Sequence, residues 1–337
     1  MSCDENHVLA EEQVTFIGRD PKIIDLLALT DRVARVDATV LICGETGTGK
    51  ELIARRLWRQ SRREQATFQV VNCAAVPAEL QESIFFGHER GAFTGAGQNR
   101  VGWFAAADGG TLFLDEVHLM RPALQSMLLR ILQTGEYSPV GSTATKHCDV
   151  RVVAATNANL AALVSSGDFR EDLFYRLNIV PLQVPPLRER RGDIAMLADH
   201  FLQDYSQRYG CQQSSLDPAV LTCLQQHRFP GNVRELENLL QRSLILAGTE
   251  PIGVHHLPAA VQRPRRLDQD RSPPAGADAT ESGSFQAAKA RVVAEFERRY
   301  LEEMLERCGG IVARAAVEAE LSERNFHQKL KQYGIDY

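Results

Sequence analysis

Four apolar residues, Val40-Leu41-Ile42-Cys43, run without a break into Gly44-Glu45-Thr46-Gly47-Thr48-Gly49-Lys50, and a stretch of helical period, Glu51 to Gln60, follows at once. No other feature of the chain restricts its fold as much. A buried strand that turns through glycines into a helix is the build of a phosphate-binding loop. The glycines let backbone N–H groups turn inward, the helix start adds its positive end, and the lysine reaches the β and γ oxygens of a nucleotide. Gly44, Glu45, Thr46, Gly47, Thr48, Gly49, Lys50 and the adjoining Glu51 are therefore candidate nucleotide-binding residues.

A second apolar run, Thr111 to Leu114, ends in Asp115-Glu116, which would put two carboxylates at the carboxyl end of a buried strand, where α/β sheets bind ligands. Asp115 would organise magnesium and Glu116 would polarise an attacking water, so the pair points to hydrolysis of ATP and not to its binding alone. One position departs from the usual loop: Glu51 stands where Ser or Thr commonly holds the metal. Magnesium is left to Asp115 with either Glu51 or water.

From Phe16 to Val184, β-rich runs (Thr39 to Cys43, Phe68 to Asn72, Thr111 to Leu114, Val150 to Ala155, Ile179 to Val184) alternate with helical segments such as Pro122 to Gln133. Such alternation predicts an α/β fold, a parallel sheet with helices on both faces. Pro185 and Pro186 break the pattern, and Arg191 to Leu257 reads as amphipathic helices, a lid over 185–257. Residues 258–284 carry Pro264, Pro273, Pro274 and almost no apolar side chain larger than Ala after Leu267. Such a stretch buries too little surface to offset its chain entropy and is expected to be a flexible linker. Helical period resumes over Phe285 to Cys308, stops at Gly309-Gly310, and continues in two short pieces, Val312 to Glu320 and Glu323 to Tyr333, a helix-turn-helix pattern over 285–337. The organisation expected is thus 1–15 as an extension, 16–184, 185–257, 258–284 and 285–337.

Composition narrows the setting more than the chemistry. A chain of 337 residues exceeds what one core usually holds. No apolar run approaches the ~20 residues needed to span a bilayer, and Met1 to Ala10 lacks the build of a secretory signal, so a cytoplasmic protein with no membrane partner is expected. Cysteines at 3, 43, 73, 148, 211, 223 and 308 form no CxxC pair, which argues against a zinc site. A net charge of −5 gives no global attraction to nucleic acid; DNA contact has to come from a local surface.

The segment Glu82 to Ala96 contains Gly91-Ala92-Phe93-Thr94-Gly95-Ala96. The glycines permit a tight, movable loop, and an aromatic at its tip either folds back or meets a partner. This hexapeptide resembles the signature loop of the sigma-54-dependent transcriptional activators, bacterial enhancer-binding proteins of the AAA+ ATPase class, and the resemblance favours contact with a partner. Asn72 is similar to the family's switch asparagine, which holds the catalytic glutamate, here Glu116. Ala154-Ala155-Thr156-Asn157 resembles sensor I, with Asn157 near the nucleotide, and Pro139 to His147 matches the second loop by position. Phe169 to Leu177 looks like the segment with two arginines that act across a subunit boundary. Arg170 and Arg176 would reach the neighbour's γ-phosphate, a role worth about 10³ to 10⁵ in rate elsewhere. On an isolated helix they would instead be surface partners of Glu171 and Asp172. Phe229 to Asn238 resembles sensor II, with Arg234 on the phosphates of its own subunit.

The resemblance implies a ring, a hexamer, that uses ATP and magnesium to remodel sigma-54 in the closed RNA polymerase complex. The competing reading is an AAA+ remodeller of another protein client. The last helices resemble a Fis-type helix-turn-helix, with Arg324, Asn325, Gln328, Lys329 and Lys331 facing double-stranded DNA at an upstream activating sequence. Arg314, Arg324, Lys329 and Lys331 are balanced by Glu318, Glu320, Glu323 and Asp336, so one copy should bind weakly. With about fifteen residues before Phe16, the chain resembles members without an N-terminal sensor domain, such as the phage-shock and type III secretion regulators. Control by a separate regulatory protein, or by how much of the chain is made, is then expected.

Overall fold

The computed structural model describes residues 16–93, 95–210, 215–262, 294, 297–302, 304–305, 307–319 and 321–335. The chain divides into two compact units, 1–264 and 265–337.

Among its described residues the first unit holds nine strands: β1 (Val40–Cys43), β2 (Phe68–Asn72), β3 (Gly87–His88), β4 (Arg100–Val101), β5 (Thr111–Asp115), β6 (Glu136–Tyr137), β7 (Lys146–His147), β8 (Arg151–Thr156) and β9 (Val180–Gln183). Five of them form one parallel sheet in the order β2-β5-β8-β1-β9, and β3-β4 and β6-β7 are two-residue antiparallel ribbons. Both faces are covered. Leu41, Leu112, Leu114, Val152 and Ala154 pack on one side with Phe85, Phe86, Phe104 and Leu128, while Val40, Ile42, Phe113, Val153 and Ala155 pack on the other with Ile23, Ile53 and Leu57. Continuous apolar strands such as Leu112-Phe113-Leu114 follow from that two-sided burial. The register pairs Cys43 with Thr156 and Asn72 with Asp115. The strands therefore deliver their polar last residues to a single edge of the sheet.

Local signals set the helices. Asp20 accepts the Lys22 N–H at 3.0 Å ahead of Pro21–Ala34, with Pro in the first turn. The buried Arg151 guanidinium donates to the Ala34 and Val33 carbonyls at 2.8 and 3.0 Å, which closes that helix from the sheet side. Three helices, Asp193–Tyr209, Pro218–Gln226 and Asn232–Ala247, form the lid around Ile194, Leu197, Leu224, Phe229, Leu236 and Leu240.

The lid does not stop where the linker was expected to start. Ala259–Gln262 is helical, and Leu257 and Val261 are buried in the lid cluster. The Pro-rich reading missed a single apolar residue in the right register. The rest of the expected linker, and the N-terminal extension 1–15, lie outside the described residues.

In the second unit, Val312–Glu318 and Glu323–Tyr333 join through Ser322, whose hydroxyl accepts the Asn325 N–H at 3.3 Å. Phe326 and Leu330 pack on Leu301, Leu305, Ala315 and Ala316. Gly334, at φ 63°, ends the last helix.

Candidate active site

β1 enters the loop at Gly44, and the loop leaves through Gly47 and Gly49, at φ 77° and 99°, into the helix Lys50–Arg59. A left-handed backbone there is open to glycine and costly for other residues. Lys50 is only 7% exposed and donates to the Gly44 carbonyl at 2.9 Å and the Glu45 carbonyl at 3.4 Å. Its Nζ also stands 3.7 Å from Glu116 Oε1. The cation is thus parked on weak neutral acceptors beside the catalytic edge, where phosphate oxygens would compete for it.

The lid clasps this loop from above. Arg188 binds both carboxylate oxygens of Glu45 at 2.6 and 2.7 Å. Asn232 donates to Glu45 and to the Thr46 carbonyl, both at 3.1 Å, while its own oxygen accepts the Leu187 N–H at 2.8 Å. The Val233 N–H bonds the Gly47 carbonyl at 3.0 Å, and the buried Arg190 bonds the Thr48 carbonyl at 3.0 Å with its guanidinium over the Phe16 ring. Hydrogen bonds from Arg188 and Asn232 hold the Glu45 carboxyl down to about 2. Arg234 follows directly: its Cβ lies 3.1 Å from where a side chain on Gly47 would begin. The expected sensor arginine therefore sits against the loop.

At the end of β5, Asp115 accepts the Glu116 N–H at 3.1 Å, and burial together with the Glu116 charge raises its pKa. Two adjacent carboxylates facing a single lysine leave a site that a cation would relieve, so magnesium fits here. Glu116 itself adopts φ 54°, ψ 50°, a left-handed conformation uncommon outside glycine and asparagine. Its Oε2 accepts the Asn157 N–H at 3.2 Å, and the Asn157 side chain donates to Thr46 Oγ1 at 2.9 Å. The end of β8 thus links the phosphate loop to the acid pair.

Two expectations need correcting. Asn72 does not hold Glu116 in this structure; its Oδ1 accepts the Ala74 N–H at 2.9 Å and caps the short helix Cys73–Ala75. Glu51 is engaged by Arg55 at 2.9 and 2.7 Å, the usual i,i+4 pairing on an exposed helix face, although its charge still acts on Asp115. Among the described residues no three His, Cys, Asp or Glu side chains gather as a complete metal site. Magnesium at Asp115 would need phosphate oxygens and water for its other positions.

The hexapeptide loop hangs from the β3-β4 ribbon, where Gly87 and Gly102 approach so closely that neither has room for a Cβ. Gly91 and Gly95, at φ 86° and 104°, shape the loop, and Ala96 folds back to bond Gly91. Phe93 is 38% exposed with its ring edge-on to His88 at 5.0 Å, so it is half shielded, neither buried nor free. Thr94 lies outside the described residues. The second loop is attached to the first: Val140 donates to the Gly87 carbonyl and accepts the Glu89 N–H at 2.9 and 3.1 Å, and Ala92 rests on Gly141.

The structure does not bring Arg170 and Arg176 to their own chain's phosphate loop. Arg170 makes a two-bond pair with Asp172 at 2.7 and 3.0 Å and Arg176 donates to the Leu132 carbonyl, all on the protein surface. In the second unit Arg324, Asn325, Gln328 and Lys331 are exposed. Lys329 is engaged within the unit: its Nζ is 2.5 Å from Glu297 Oε2, an oxygen that also accepts the Tyr333 hydroxyl, so a DNA phosphate would have to compete with that pair. Residues 326 and 330 point inward, and 329 and 333 border that face.

Sequence reasoning missed Arg188, Arg190, Asn232 and His118. No spacing rule joins residue 188 to residue 45, and only the folded lid makes them neighbours.

Models of three families match in order: the sigma-54 interaction domain over residues 16–183, the AAA+ ATPase lid domain over 188–273, and the Fis family of bacterial regulatory proteins over 292–333. The chain is 42% identical to the regulatory protein AtoC of Escherichia coli over 95% of its own length and 68% of that protein. It is 49% identical to NtrC of Azospirillum brasilense over 73% of its length and 51% of that regulator. The crystal structure of NtrX from Brucella abortus in complex with ADP superposes with a TM-score of 0.70 at 32% identity, covering 96% of this chain and 70% of that one. With the phosphate loop, the acid pair, the lid clasp and the helix-turn-helix in place, the chain belongs to the sigma-54-dependent transcriptional activators, AAA+ ATPases with a Fis-type DNA-binding unit.

Proposed function

We propose that this activator works as a ring, a hexamer by its resemblance, in which ATP with magnesium is hydrolysed at the boundary between subunits. Lys50, Arg234 and the loop amides hold the phosphates, Asp115 holds the metal, and Glu116 polarises the attacking water. Magnesium supplies charge neutralisation at the phosphates. Arg170 and Arg176 complete the site of the adjacent subunit. The observation that carries this reading is their placement: both guanidiniums lie on the surface and, among the described residues, bond Asp172, Ser126 and the Leu132 carbonyl and none of the residues of their own nucleotide site. Exposed arginine pairs of this kind contribute little to stability and exchange readily for a phosphate partner.

The Gly91 to Ala96 loop contacts sigma-54 in the closed polymerase complex, and the helix Glu323–Tyr333 reads an upstream activating sequence. No helix among the described residues is long and apolar enough to cross a membrane. The test is promoter opening on a preformed sigma-54 polymerase closed complex with ATP, comparing the wild type with Thr94→Ala and Arg170→Ala. Opening is expected to be lost in both. Thr94→Ala keeps its ATPase, and Arg170→Ala loses it but regains part when mixed with subunits carrying Glu116→Ala. Robust ATPase without opening in the wild type would point to another protein client.

A further inference from the structure

His118 stands two residues beyond Glu116, on the short helix Val117–Leu119 that follows the acid pair. Its Nδ1 lies 3.1 Å from Thr156 Oγ1 and 3.4 Å from Glu116 Oε2, with the two side chains of the His–Glu pair only 17% and 15% exposed. Thr156 is fully buried at the end of β8, and its Oγ1 already accepts the Ala158 N–H at 3.0 Å. The nearby carboxylate oxygen favours an N–H at Nδ1, and Thr156 Oγ1, with a lone pair left after the Ala158 bond, is able to accept it.

We infer that His118 is a positioning residue for the ATPase: its ring, hydrogen-bonded through Nδ1 to Thr156, is held 3.4 Å from Glu116 Oε2 and backs that oxygen so that Oε1 faces Lys50 and the place of the attacked phosphate. Three features converge on this reading. Glu116 has a left-handed backbone, so its side chain leaves the strand end in a direction that strand geometry does not fix. Asn72, the residue expected to hold the glutamate, is engaged with Ala74 instead. The hydrogen bond on Oε2, from the Asn157 N–H at 3.2 Å, comes from one side only, which leaves rotation about the last torsion open without a second restraint. The His118 ring, 3.4 Å away, closes that space. A carboxylate that must orient a water loses rate steeply when it is free to rotate, because misplacement by about 1 Å can cost 10²-fold.

The inference rests on Glu116 being the hydrolytic glutamate, and its test separates the two. ATP hydrolysis would be measured for full-length His118→Leu, His118→Asn, Glu116→Gln and the double variant His118→Leu/Glu116→Gln, together with Kd for ATP and Tm. His118→Leu is expected to lower kcat about tenfold, short of the 10²-fold that about 1 Å of misplacement can cost, with KM and Kd within twofold of wild type. His118→Asn places an N–H donor near the position of Nδ1 and is expected to recover most of that loss. Glu116→Gln should abolish hydrolysis, and adding His118→Leu to it should change nothing.

If Glu116→Gln hydrolyses ATP normally, the role of Glu116 falls and the inference with it. If Glu116→Gln is dead while His118→Leu keeps kcat within twofold, the inference alone falls. A purely structural role is the remaining outcome against it: Kd and Tm would shift along with kcat, and asparagine would rescue no better than leucine.

Discussion

Gly47→Ala is the substitution for which the structure gives the sharpest expectation. At φ 77° a side chain costs about 1 kcal/mol before it touches anything. The added methyl would overlap the Gly231 carbonyl oxygen and lie 3.1 Å from Arg234 Cβ, so the start of the helix Asn232–Ala247 has to withdraw. Withdrawal breaks the Val233 N–H bond to Gly47 and the Asn232 bond to the Thr46 carbonyl, at 3.0 and 3.1 Å. At about 1 kcal/mol for each bond, the clasped geometry loses about 3 kcal/mol in all. ATP binding that depends on the clasp should weaken about a hundredfold, since each tenfold corresponds to about 1.4 kcal/mol. Gly109→Ala is the matched control: its φ is 74°, nothing lies within 4 Å of the new methyl, and it should lower Tm by a few degrees without changing Kd. Titration with a fluorescent ATP analogue, alongside thermal unfolding, reads both effects. Binding by Gly47→Ala within threefold of wild type, or an equal loss in Gly109→Ala, would refute the argument that the lid and loop share this contact.

Two further expectations concern charge. Because the Glu45 carboxyl is held from 4.5 down to about 2 by its bonds to Arg188 and Asn232, it stabilises the fold above its unfolded value, and that contribution is lost as pH falls from about 4.5 toward 2. The pair is about two-fifths exposed, so solvent screening limits the effect to under about 1 kcal/mol. Wild type and Glu45→Gln should differ in Tm at pH 7, with the gap narrowing below about pH 4.5 and closing as pH approaches 2; a constant gap across that range would remove Arg188 as the cause. In the second unit, Lys331→Ala should weaken DNA binding and reduce its salt dependence by about one counterion per copy, whereas Lys329→Ala should chiefly destabilise the unit through loss of its bond to Glu297. Equal changes in salt slope for both lysines would reverse that assignment.

The sheet was legible because its strands are buried on both sides and therefore read as unbroken apolar runs that end in turn-forming or acidic residues. The phosphate loop and acid pair were legible for the same reason: they are contiguous in sequence and stand at strand ends. What could not be read was pairing at a distance. Glu45 meets Arg188 and Asn232 only because a helix start in the lid closes on the loop, and neither partner has a periodicity that announces it. Side-chain choices between rival partners were also hidden. Asn72 takes the nearby Ala74 N–H, and Lys329 takes Glu297 over solvent. In each case a local or intramolecular partner won over the expected one because it costs little chain entropy to reach. The lid helix at Ala259–Gln262 shows the reverse failure, where a Pro-rich neighbourhood concealed one well-placed Val261.

The attachment of the second loop to the first has a consequence for how such regulators diversify. Val140 is bonded on both sides to Gly87 and Glu89, and Ala92 rests on a Gly141 that has no room for a larger residue. Residues 87–101 and 136–147 thus form a single mechanical cassette even though β5 and a long helix separate them in the chain. A change of length or bulk in either piece alters the lever that the other one bears on, so drift in one constrains drift in the other. An exchange of loops with a relative should therefore succeed only when both pieces move together with the Gly87–Gly102 fulcrum from which they hang.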